Sequence, residues 1–73
     1  MSFLPRISGR DAVKPFEKAG WQVTRQKGSH IILTKEDSFV TLSIPDHKEL
    51  DRGTLRKLIR IAKMSVEEFK SLL

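Results

Sequence analysis

The sequence predicts an α+β domain in which helices cover one face of a three-stranded antiparallel meander. Three observations predict it. Apolar residues recur at helical spacing near both ends of the chain, three segments between them have strand character, and short connections join those segments. The order is α-β-β-β-α with a further short C-terminal helix. Seventy-three residues make one domain, 1–73, and no repeat, linker or low-complexity stretch divides it.

Each element has its own signal. Ser8-Gly9-Arg10-Asp11 reads as a helix start, with a hydroxyl to accept an orphan N–H and an acid at the positive end of the dipole. Ala12, Val13, Phe16 and Ala19 follow at helical spacing, and Gly20 supplies the stop. Pro15 lies inside this run, where proline costs about 3 kcal/mol, so a kink or a distorted first turn is expected.

Strands are expected over Trp21–Gln26, His30–Lys35 and Phe39–Ile44, ended by Pro45. Lys27-Gly28-Ser29 and Glu36-Asp37-Ser38 are short enough to make both connections hairpins. Leu55, Leu58, Ile59 and Ala62 mark a helix from about Gly53 to Lys63. Ser65-Val66-Glu67-Glu68 is a capping box for a last helix carrying Val66, Phe69, Leu72 and Leu73.

Composition narrows the partners. With 38% hydrophobic and 32% charged residues the chain is globular in character, and it has no cysteine for a disulfide or a thiolate metal site. A chain of this size does not enclose a deep cavity, so a ligand is expected on an open face or in a shallow groove. No apolar run is long enough for a signal peptide or a membrane span, and the expected location is the cytoplasm, away from membranes. The net charge of +5 and a pI near 10.0 favour a polyanion such as nucleic acid; such a charge also serves solubility.

Two histidines are the first candidates for chemistry. A hairpin turn at residues 36–38 pairs His30 with position 43 or 44, so His47 lies three or four residues beyond, and both imidazoles emerge at one end of the sheet. Three extended residues span only about 10 Å. Histidine titrates near neutrality, and RNA hydrolysis needs a base for the 2′-hydroxyl, an acid for the 5′-oxygen and cations for the phosphorane. Spacing alone favours the blander reading, two ordinary surface or strand histidines. Lys27-Gly28-Ser29 beside His30 offers a charge, close backbone approach and a hydroxyl, although Gly-Ser is also a common turn.

Arg52, Arg56, Arg60 and Lys63 fall within one arc of the second long helix, roughly opposite its apolar stripe. They can track a phosphate backbone or simply be a solvated face. Gly53-Thr54 at the start of that helix is expected to present free N–H groups to a phosphate. Asp46, Glu49 and Asp51 surround His47, but no second histidine sits at ligand spacing, so neither a metal nor another cofactor is expected. Trp21, which heads a strand, is expected in the core or at its rim.

Taken together, these pieces resemble a known family. Gly20-Trp21, Arg25-Gln26-Lys27-Gly28-Ser29-His30, Pro45-Asp46-His47, Glu49-Leu50 and Gly53-Thr54-Leu55-Arg56 are similar in type and order to the HicA, or YcfA-like, family. The opening Ser8-Gly9 and the tail Ser65-Val66-Glu67-Glu68-Phe69 fit as well, so the resemblance covers nearly the whole chain. It implies a fold like that of double-stranded RNA-binding domains. It also implies a type II toxin acting as a ribosome-independent mRNA interferase, neutralised by a HicB antitoxin that blocks the active site. The family's catalytic histidine, in Gly-Ser-His, maps to His30, and its histidine after the third strand maps to His47. Pro15 departs from the family's usual helix formers. The alternative is a non-catalytic RNA-binding module of the same fold, or a domain that binds only protein.

Overall fold

The computed structural model describes residues 3–73. In order they form α1 (Gly9–Lys18), β1 (Gln22–Lys27), β2 (His30–Thr34), β3 (Leu42–Pro45), α2 (Arg52–Ile61) and α3 (Val66–Ser71). The strands make one antiparallel sheet in the order β1-β2-β3, so the predicted α+β meander and its resemblance to double-stranded RNA-binding domains both hold.

Local chemistry sets the helix limits. The Ser8 hydroxyl accepts the Asp11 N–H at 3.0 Å, and the Ser65 hydroxyl and Glu68 carboxylate form the reciprocal capping box. At the end of α1 the Trp21 N–H reaches the Phe16 carbonyl and the Gly20 N–H reaches Glu17, with Gly20 at φ 105. That is a Schellman stop with glycine in its left-handed position. Pro15 leaves α1 unbroken. The first turn keeps its Ala12 N–H to Ser8 carbonyl bond, so the expected distortion there is absent, and Pro15 itself is buried.

Period-two burial then selects the faces. Ile31 and Leu33 of β2 pair with Ile44 and Leu42 of β3, and all four are buried beneath the helices with Phe16, Leu55, Ile59 and Phe69. Each such side chain contributes on the order of 1.5–3 kcal/mol of hydrophobic stabilisation. The rings of Phe16 and Phe69 lie 5.1 Å apart and join α1 to α3. Trp21 is in the core, 3% exposed. Among the described residues, the opposite face of the sheet carries no helix.

Several expected boundaries move. β1 begins at Gln22 rather than Trp21 and runs to Lys27, with a bulge between Val23 and Arg25 that a strict alternation does not anticipate. β3 starts at Leu42, because Phe39 and Val40 point into solvent with no partner to cover them and join a longer connection over residues 35–41. The longer connection shifts the register, and His30 pairs with Pro45 instead of residue 43 or 44. The helix expected to end at Lys63 stops at Ile61, and Lys63 takes φ 59 in the turn beyond.

Candidate active site at one end of the sheet

β1 and β2 are joined by Gly28-Ser29 alone, and Gly28 supplies the positive φ of 59 at the first turn position. This turn puts His30 at the head of the central strand, directly opposite Lys27 on β1 and Pro45 on β3. His30 is exposed, whereas Ile31 beside it is buried, so its imidazole belongs to the face that the helices leave open.

The bulge decides which side chains join it there. Cross-strand partners share a face, so Lys27 opposite His30 and Arg25 opposite Ile32 both lie on the open face. Without the additional residue at Thr24, the pairing at the far end of the strand would bring Thr24 and Gln26 to those places instead. Two cations of β1 therefore share the open face with one imidazole. Arg25 is a residue that sequence reasoning missed. The signal available was its two-residue spacing from Lys27, which only a bulge makes compatible with the Trp21-Val23 alternation.

Behind the open face, hydrogen bonds tie three sequence motifs together. The Asp46 N–H donates to the Ser29 carbonyl at 2.7 Å, and the Gly9 N–H donates to the His47 carbonyl at 2.9 Å. Arg10 donates to both Asp46 oxygens at 3.1 and 3.3 Å, and Gln26 reaches Asp46 at 3.4 Å. The packing at Gly9 leaves no room for a side chain, since a Cβ there would lie 1.9 Å from the Pro45 carbonyl oxygen. His47 is exposed two residues beyond Pro45, at the same end of the sheet as His30. Lys27, Gly28, Ser29, His30 and His47 are thus brought to one end.

The remaining candidates are distributed differently. The three acids near His47 have structural partners: Asp46 holds Arg10, Glu49 pairs with Arg6 at 3.6 Å, and Asp51 caps α2. The expectation of a free N–H at Thr54 is corrected, because the Asp51 carboxylate accepts it at 3.2 Å. A carboxylate already complements that helix terminus. Arg52, Arg56 and Arg60 are exposed along α2. At about 100° per residue their arc is centred about 105° from that of Leu55, Leu58 and Ile59, so the stripe runs along a flank of the molecule rather than opposite the core. It starts five residues after His47 in the chain. Lys63 lies at the far end, outside the cluster.

The fold and this end of the molecule define a class first: a small basic α+β domain with a histidine on an open sheet face. The family model of the HicA toxin of bacterial toxin–antitoxin systems matches residues 9–64, and the chain belongs to that family. The matched stretch contains every residue of the cluster just described. No curated protein matches the chain. Among the described residues no helix is long and apolar enough to cross a membrane.

Proposed function

We propose that this toxin is a ribosome-independent endoribonuclease of the type II mRNA interferase class, working in the cytoplasm and neutralised by a HicB-type antitoxin. The reaction is transfer of a phosphodiester to the neighbouring 2′-oxygen, followed by departure of the 5′-oxygen. The 2′-hydroxyl proton passes to a base, the P–O5′ bond breaks, and an acid returns a proton to the 5′-oxygen. The products are a 2′,3′-cyclic phosphate and a 5′-hydroxyl end, with no metal or cofactor taking part.

His30 is one of the two proton-transfer groups, and His47 is the other. Lys27 and Arg25 neutralise the phosphate oxygens as charge builds up on them, and Ser29 and the Gly28 backbone hold the same group. Arg52, Arg56, Arg60 and Lys63 attract RNA from a distance, with Thr54 contributing its hydroxyl. The observation that carries this reading is the exposed His30 opposite Lys27 on an uncovered sheet face, within a chain of the HicA toxin family.

The test is cleavage of RNA by the purified chain and its His30→Ala variant. General acid–base groups contribute about 10²–10⁴-fold, so the variant is expected to cut at least about 10²-fold more slowly while remaining folded. Parent-level cleavage and growth arrest by a folded His30→Ala chain would remove His30 from the mechanism. Retention of activity in excess chelator is expected, and its complete loss would replace this mechanism with a metal-dependent one. RNA binding by the parent chain without any cleavage would leave the non-catalytic module as the function.

A further inference from the structure

The opposite end of the sheet carries three anomalies within one small surface. Phe39 is 108% exposed and Val40 46%, an aromatic–aliphatic pair in water at the tip of the β2–β3 connection. The indole Nε1 of Trp21 is buried with no hydrogen-bond partner among the described residues, although buried indole N–H groups ordinarily have one. Lys63 occupies a left-handed position at φ 59 that favours glycine. All four residues line a cavity of about 360 Å³, together with Lys35 and Ile61.

Unpaired donors, backbone strain and solvent-exposed aromatics are each features that a binding surface retains at a cost to the free monomer. None of them is explained by His30, which begins β2 at the other end of the sheet. Aromatic side chains are the usual anchors of protein–protein contacts. The connection carrying Phe39 is held mainly by its own short bonds, Ser38 N–H to the Lys35 carbonyl and Val40 N–H to the Ser38 hydroxyl. It is therefore able to adjust around an incoming group and admit an acceptor to the indole.

We propose that this surface is a docking point for the antitoxin, separate from the His30 site. The antitoxin packs an apolar side chain against Phe39 and Val40 and sets an acidic group between Lys35 and Lys63, with an oxygen accepting from the Trp21 indole. Charge selects this occupant. Two lysines, Lys35 and Lys63, outnumber the one acid on the lining, Asp37; a second copy of the chain, itself at +5, is repelled overall, whereas an acidic partner complements that surplus. The inference rests on the toxin–antitoxin pairing of the family and is independent of the ribonuclease reading.

The chain has a single tryptophan, so its one indole N–H resonance reports directly on the cavity. The experiment titrates the ¹⁵N-labelled chain with a purified HicB-type antitoxin and measures Kd for the parent, Phe39→Ser and Lys35→Glu. The indole resonance is expected to move, Phe39→Ser to weaken the complex about 30-fold, and Lys35→Glu to weaken it more at low salt than at high salt. RNA cleavage by Phe39→Ser, measured on the same preparation, is expected to match the parent and reads the ribonuclease proposal separately. Parent affinity in Phe39→Ser, a stationary indole resonance, or no binding by the parent chain overturns the proposal. So does Phe39-dependent self-association of the chain alone, which would make a second copy the occupant.

Discussion

The two ends of the sheet are built to opposite specifications. At the His30 end the backbone groups of Gly9, Ser29, Asp46 and His47 pair with one another, and Arg10, Asp46 and Gln26 add a side-chain network behind them. At the Phe39 end an indole donor is unpaired, a lysine is left-handed and a phenylalanine stands in water. The contrast separates two requirements. Proton transfer needs groups fixed to within about half an ångström, which demands a satisfied supporting shell. Recognition of another protein tolerates strain and exposure in the free state, because the partner relieves them.

The largest effect expected from breaking this contrast is at Gly9. An added methyl meets the Pro45 carbonyl oxygen, a backbone atom that cannot swing away, so α1 and the Pro45–His47 segment must separate. Gly9→Ala is expected to cost about 3 kcal/mol, at the upper end of overpacking losses, and to reduce RNA cleavage by displacing His47. Denaturant midpoints and cleavage rates check it, and a fully stable, fully active Gly9→Ala chain would show that the close approach does not matter. A smaller effect is expected at Arg25. This side chain is exposed on the open face, so Arg25→Ala should leave stability within about 0.5 kcal/mol of the parent. Loss of one charge-assisted contact to phosphate corresponds to roughly 10–100-fold in cleavage under single-turnover conditions. Unchanged cleavage in that variant would return Arg25 to the solvent and leave Lys27 alone beside His30.

How far the sequence could be read follows the same division. Caps and stops were legible because they act over a few residues: Ser8, Gly20 and Ser65 each determine a helix end by a bond to a near neighbour. Gathering His30 and His47 at one end was legible too, since an antiparallel hairpin returns the chain whatever its loop length. The register was not. It depended on whether Phe39-Val40-Thr41 would pair, and their β propensity was outweighed by the absence of anything to bury them. The bulge at Thr24 left only an indirect mark, the cations Arg25 and Lys27 continuing the two-residue spacing of Trp21 and Val23, and the alternation by itself does not say where an extra residue sits. The support behind the site was hidden because Arg10 and Asp46 are 36 residues apart and only the fold makes them neighbours.

The smallest expected effect is the sharpest test of the contrast, because the two long helices end in the same motif with different residues. After α1 the bonds run from Trp21 to Phe16 and from Gly20 to Glu17; after α2 they run from Met64 to Ile59 and from Lys63 to Arg60. The left-handed position is Gly20 in the first and Lys63 in the second. A side chain there costs about 1–2 kcal/mol, while glycine loses about 0.5–1 kcal/mol through the greater freedom of its unfolded chain. Lys63→Gly is therefore expected to stabilise the free toxin by about 0.5–1 kcal/mol, read as a higher denaturant midpoint at an unchanged slope. The same substitution removes a cation from the proposed docking surface, so the antitoxin complex should weaken as the free toxin becomes more stable. Movement of both quantities in the same direction would mean that Lys63 is held left-handed by the helix stop alone, and that its strain has no connection to binding.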